Sequence, residues 1–227
     1  FTLKYYGVAW NNPDLIEAFT NSLIIAFVQT IFATIIGAMV GLLLWRFRFP
    51  GETAYEGFMA LPIVIPEICM GVALLLFFVS SGMMELFVHL PWPLSLGNII
   101  FAHVTFCFPF VAVVVRSRLV GFNRQLEEAA KDLGASEWQI TRTVVIPSTM
   151  AWVFASLSPA ISFALIGVIV GEFIGAERGL GKLIIEAEAR ANAAEMMVAI
   201  FVMMVVGMVL AFLVRSLQSY LLRWQQQ

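Results

Sequence analysis

The sequence predicts an all-α, polytopic membrane protein, on three observations. Of the 227 residues, 61% are hydrophobic and only 12% are charged, whereas about a quarter of the residues in a soluble domain carry charge. The apolar residues gather into charge-free runs longer than the roughly 20 residues that cross a bilayer as an α-helix. The charges gather into short interruptions between those runs, and the mean hydropathy is +0.92. A net charge of −2 says nothing about a nucleic-acid partner, because in such a chain the position of the cations along the sequence is what informs.

Taken in order as one domain over 1–227, five spans are expected, at about 20–45, 58–80, 97–116, 147–171 and 195–217, with a polar loop at 117–146. The first follows from the absence of charge between Ala18 and Trp45, with Asn21 or Ser22 as the cap; Gly37 and Gly41 form a GxxxG pair that permits close helix packing. In the second, Glu67 is the only charged residue between Gly57 and Met84. Pro62 and Pro66 remove backbone donors there, which kinks a helix and is tolerated where neighbours or a water-filled cavity satisfy the freed carbonyls. Glu85 to Asn98 is proline-rich and aromatic, as suits an interfacial loop. The third span contains His103, expected as a hydrogen-bonded packing residue, and ends at Arg116 and Arg118, expected to steady the following loop against lipid headgroups.

The fourth span has no charge from Val144 to Val170 and offers Ser156, Ser158 and Ser162 for helix contact or a polar pore lining. Glu172 to Glu195 is charged and glycine-bearing, expected as a loop with a short amphipathic helix. Its GLGK lacks the first glycine and the hydroxyl residue of a nucleotide-binding loop. The last span is anchored at the interface by Arg215, Tyr220, Arg223 and Trp224. Cys69 and Cys107 fall in apolar runs and are expected as buried thiols; no clustered ligands suggest a metal, and no catalytic chemistry is implied, so an enzyme is not expected.

The longest polar interruption, NRQLEEAAKDLGASEWQITRTVVIP from Asn123 to Pro147, organises the rest. Asn123 is a candidate N-cap, Arg124 to Leu133 reads as a short helix, Gly134 takes a left-handed C-terminal position, and Ser136 caps a second helix running toward Pro147. Glu128, Ala129, Ala130, Gly134, Ile146 and Pro147 resemble the EAA motif of binding-protein-dependent ABC importer permeases. The resemblance implies the type I ABC importer permease fold, with this helix pair docking into a groove on a separate ATP-hydrolysing subunit. The alanines would let that surface approach closely, the acid would anchor it, and the glycine would set the angle. A solvated surface helix pair is the plain alternative. The stretch also looks like a DNA-binding helix-turn-helix, but Arg124, Lys131 and Arg142 face Glu127, Glu128, Asp132 and Glu137, leaving no basic footprint, so no nucleic acid is expected.

Residues 1 to about 144, including FTLKYY, Pro66-Glu67, AHVTFCFPFV, SRLVGF and EEAAKDLGAS, resemble the spermidine/putrescine permease family. VGEFIGAERGLGKLI and LLRW are more similar to permeases of the nitrate, taurine, alkanesulfonate and thiamine-precursor group. The resemblance implies ABC ATPase subunits that hold ATP and magnesium, a second permease subunit, identical or not, and an extracytoplasmic substrate-binding protein; this chain would hold no cofactor. Candidate substrate-pathway residues are Glu67, Pro66, Ser158, Ser162 and Glu172. Glu67 reads equally as an acid on a cation pathway or as a carboxylate capping freed amides near Pro66 or pairing within a dimer. Glu172 reads as facing ligand or solvating a helix end. An ion-coupled secondary transporter is the competing class, though no internal repeat stands out. With the 117–146 loop cytoplasmic, nine cations (Arg46, Arg48, Arg116, Arg118, Arg124, Lys131, Arg142, Arg215, Arg223) lie inside against four outside (Lys4, Arg178, Lys182, Arg190). That orientation in the inner membrane puts the C-terminus inside and Phe1 outside, so a sixth, upstream span is expected in a parent chain.

Overall fold

The computed structural model describes residues 13–175 and 179–221, and every regular element among them is helical. The first helix, α1 (Pro13–Arg46), has 34 residues, about 50 Å at 1.5 Å per residue. It starts before Asn21 and Ser22, so these are not its caps; both are buried mid-helix and bond to other elements. Residues 1–12, including the FTLKYY stretch, lie outside the described residues.

The expected second span is instead two helices, α2 (Glu52–Val64) and α3 (Glu67–Ser81), bent by 110° to each other. The break sits before Pro66 rather than at Pro62, which is carried inside α2. Pro66 drives Ile65 out of the helical region, to φ −73° and ψ 133°, because its ring crowds the preceding residue. A short helix α4 (Met83–Val88) and one 3-10 turn (Leu94–Leu96) follow, then α5 (Gly97–Leu119), which runs through Pro109 without interruption.

Past the polar loop, with α6 (Gln125–Asp132) and α7 (Glu137–Ile140), a π-helical turn (Thr141–Val145) leads directly into α8 (Ile146–Gly175). The chain closes with α9 (Leu180–Ala189) and α10 (Ala193–Leu221). Three helical stretches, Ile16–Arg46, Leu94–Ser117 and Ala193–Tyr220, are long and apolar enough to cross a membrane. The bent pair makes a fourth if its halves count as one span.

The core lies between α1, α5 and α8. Ala38 meets Val111, Val115, Leu119 and Ala160; Ile25 and Ala26 meet Val168; Ala33 meets Phe106 and Cys107. Small residues on α1 let the helices come close enough for dispersion to act in a medium with no hydrophobic drive between helices. A Cβ at Gly37 would fall 2.6 Å from the Phe108 carbonyl oxygen, and one at Gly41 would fall 2.8 Å from that of Ala112. The GxxxG pair is therefore the seat of α5. Cys107 is buried there, but Cys69 is exposed, contrary to its expected burial. On α10, Phe201, Met204 and Phe212 face outward, as befits a helix whose solvent is lipid.

Candidate functional site

Toward the Pro13 end of α1, a cavity of about 730 Å³ opens between α1, α3, α5 and α8. Its polar wall includes Glu17, Asn21, Glu67, Trp92, Asn98 and His103, and no Lys or Arg lines it among the described residues. Glu67 is the first residue of α3 and is half-buried; its carboxylate makes no hydrogen bond or ion pair among the described residues. It does not cap the amides freed near Pro66. Trp92 is held by its indole N–H, which donates to Asn21 Oδ1 at 2.8 Å.

His103 has the packing role expected of it and also borders the cavity. Its Nδ1 lies 2.7 Å from the Ile99 carbonyl oxygen; a carbonyl only accepts, so Nδ1 carries the proton. The ring fits against α8 because residues 167 and 171 are glycines: a Cβ there would come within 3.0 Å and 2.9 Å of the imidazole.

Pro66, Ser162 and Glu172 are not gathered around the cavity. Pro66 is exposed at the break, Ser162 is exposed on α8, and neither lines it. The Ser158 side chain lies outside the described residues. Glu172 neither faces the cavity nor solvates a helix end; it is 2% exposed. Ser22 Oγ donates to its Oε1 at 2.5 Å, and the Gly181 N–H donates to its Oε2 at 2.7 Å. A carboxylate from α8 thus satisfies a free amide in the first turn of α9 and fixes α1 to both. Gly179 is required beside it, because a Cβ would overlap the Glu172 carboxylate.

At the opposite end of α1 stands the polar loop. Asn123 Oδ1 accepts from the Gln125 N–H at 3.0 Å, just ahead of α6. Gly134 has φ +83°, a conformation that costs a side chain energy. Ser136 and Gln139 form a complete capping box on α7. Glu128, Ala129 and Pro147 are exposed, Ala130 is half-buried and Ile146 is 38% exposed.

Two neighbours with no part in the sequence motif are the most prominent: Leu133 is 90% and Trp138 68% exposed. Large apolar residues in a charged loop were the signal for them. Glu127, adjacent to the motif acid, is buried instead, and its Oε2 takes Arg46 Nη1 at 2.5 Å. Arg116 pairs with Glu56 at 2.6 Å and Glu52 at 3.3 Å, so it does not reach for headgroups.

Residues 33–227 match the family described as the binding-protein-dependent transport system inner membrane component. The chain belongs to that family. As such an inner membrane component it is a multi-pass membrane protein. It is similar to the spermidine/putrescine transport system permease protein PotC of Escherichia coli K12, at 37% identity over 174 residues, 77% of this chain and 62% of that protein. The putrescine permease PotI of the same organism is 32% identical over 178 residues, covering 77% and 61%. The sulfate permease CysT, also from Escherichia coli K12, is 32% identical over 165 residues, covering 70% and 55%. The chain thus spans less than two thirds of the length of these relatives. Among solved structures, the inward-facing methionine ABC transporter MetNI superposes with a TM-score of 0.75 at 21% identity, covering 91% of this chain and 95% of the other. A bacterial alginate ABC importer gives 0.73 at 15% identity, covering 97% and 84%. These inner membrane components share the fold of ABC importer permeases.

Proposed function

We propose that this chain is a permease subunit of an ABC importer, lining the route of an organic cation of the polyamine kind and driven by separate ATPase subunits. The carrying observation is the cavity: two carboxylates, Glu17 and Glu67, with Trp92, Phe78 and Phe106, and no Lys or Arg among the described lining residues. Carboxylates attract ammonium groups, and apolar and aromatic walls accept the methylene spacers between them. The similarity to PotC and PotI, a spermidine/putrescine and a putrescine permease, points the same way. The sulfate relative keeps nitrate, taurine, sulfonate or thiamine-precursor uptake as the second reading, but an anion would find no Lys or Arg among the described lining residues.

In this reading ATP and magnesium stay on the ATPase subunits, which dock on Glu128, Ala129, Leu133 and Trp138. A second permease, an extracytoplasmic binding protein and the bilayer complete the partners. The chain crosses five times, with the 117–146 loop and the C-terminus in the cytoplasm. ATP closure of the motor pair shifts the spans between inward and outward states, which requires the motor to bind those two states with different free energy.

The test is uptake of labelled putrescine by proteoliposomes holding the assembled transporter, with ATP inside. Competition by spermidine and not by taurine or sulfate is expected. Glu67→Gln should raise the KM by about tenfold or more, since a charge-assisted contact contributes about 1.5 to 3 kcal/mol. Competition by sulfate alone would overturn the cargo, and uptake driven by an ion gradient without ATP would overturn the transporter class.

A further inference from the structure

Arg46, the last residue of α1, divides its guanidinium between two helices. Nη1 meets Glu127 Oε2 on α6 at 2.5 Å, and Nη2 meets Glu137 Oε2 on α7 at 2.6 Å. These partners lie on either side of the Gly134 turn, so one side chain spans the joint. Lys131 Nζ holds the other oxygen of Glu137 at 2.6 Å. The preceding residue grips the same loop: Trp45 meets Phe122 edge-on at 5.5 Å, and the Arg124 guanidinium lies 5.6 Å from the Trp45 ring.

With 8 residues, α6 is too short to be stable by its own hydrogen bonds, whereas α7 continues through the π turn into α8. The placement of α6 against α7 is therefore borrowed from the end of α1. Two carboxylates on two helices call for a planar fork, which an arginine has and a lysine lacks. About 25 residues back along the unbroken α1, on the order of 38 Å, Thr20 and Asn21 line the cavity. There Ser22 binds Glu172 of α8, the helix that leaves the loop covalently. The loop is thus joined to the cavity wall by two routes, one through the chain and one through Arg46.

We propose that Arg46 is the positioning residue that ties the loop to the cavity: it fastens both sides of the Gly134 joint to α1, and α1 carries a displacement of the loop to Thr20 and Asn21. This rests on the reading of 117–146 as the ATPase dock.

The test uses the assembled transporter in proteoliposomes, reading ATP hydrolysis and uptake in the same preparation. Arg46→Gln is expected to keep hydrolysis within about twofold of wild type while uptake per ATP falls about tenfold, with Arg46→Lys between them. An unchanged ratio of uptake to hydrolysis in Arg46→Gln would overturn the proposal. If Arg46→Gln fails to assemble, Arg46→Cys with Glu127→Cys replaces it, in a background where Cys69 and Cys107 are alanine. Coupled uptake returning when a bifunctional thiol reagent bridges the pair supports the tie; an assembled, bridged complex that hydrolyses without transporting overturns it. Separately, Leu133→Cys should cross-link to the ATPase subunit. Absence of that cross-link in a transporting complex would overturn the docking reading itself, and the proposal with it.

Discussion

Glu172 and Glu67 are both acids in apolar surroundings, yet opposite fates follow from what faces them. Glu172 is enclosed by Ser22 and the Gly181 amide, so removing the hydroxyl leaves a buried carboxylate oxygen short of a donor. Ser22→Ala should cost about 1 to 3 kcal/mol, seen as a lower Tm of the purified protein in detergent. Gln29 presents the reverse case: it is fully buried on α1, and neither polar atom of its amide has a hydrogen-bond partner among the described residues. Gln29→Met keeps the volume and removes the unpaired amide, so a gain on the order of 1 kcal/mol is expected in the same assay; a lower Tm would contradict it. Glu67 could be singled out from sequence because it is the one charge in the 28 residues from Gly57 to Met84. The burial of Glu172 could not, because it depends on a serine 150 positions away, and neither hydropathy nor spacing encodes that meeting.

Among the elements, the loop was the most legible, since its turns are made by local chemistry. Asn123, the left-handed Gly134 and the Ser136 cap each act within three residues of themselves, and each is found. The π turn before Ile146 and the grip of Arg46 carry no local signal. The pairs around Glu137 make the loop sensitive to acid. Lys131 first, then Arg46, holds this carboxyl below the usual carboxylate range. Its lowered value in the fold means the stabilisation is present at neutral pH, above the unfolded value of about 4.3, and is lost as pH falls through the lower folded value. Amide exchange over 125–146, corrected for intrinsic rate, should therefore quicken on acidification; equal protection at pH 7 and about pH 3 would rule the pairs out as its support. The α1 and α5 contact answers to volume instead. Gly37→Val should part these helices and cost about 1 to 3 kcal/mol, again read as Tm, whereas Gly57→Val, with open space around it, should be near neutral sterically.

At the scale of the molecule, α1, α5 and α8 form the frame, with the cavity toward one end and the charged loop at the other. The sequence indicated helices and their apolar runs, because a bilayer imposes both. It did not indicate that the run from Gly57 to Met84 is folded in two, since a proline states that a helix is disturbed without stating by how much. The contacts that hold that elbow come from both directions along the chain: Met59 shares a cluster with Leu44 before it and Ala112 after it, and Phe78 meets Phe101. With 13 and 15 residues, each half is shorter than the roughly 20 residues that cross a bilayer. During synthesis, then, the ribosome delivers this stretch with its crease at Pro66 before the later helix that packs against it. A nascent chain arrested soon after Ser81 thus carries Pro66 and Leu44, which crease and begin to seat the run, and lacks Ala112 and Phe101, which complete its seat.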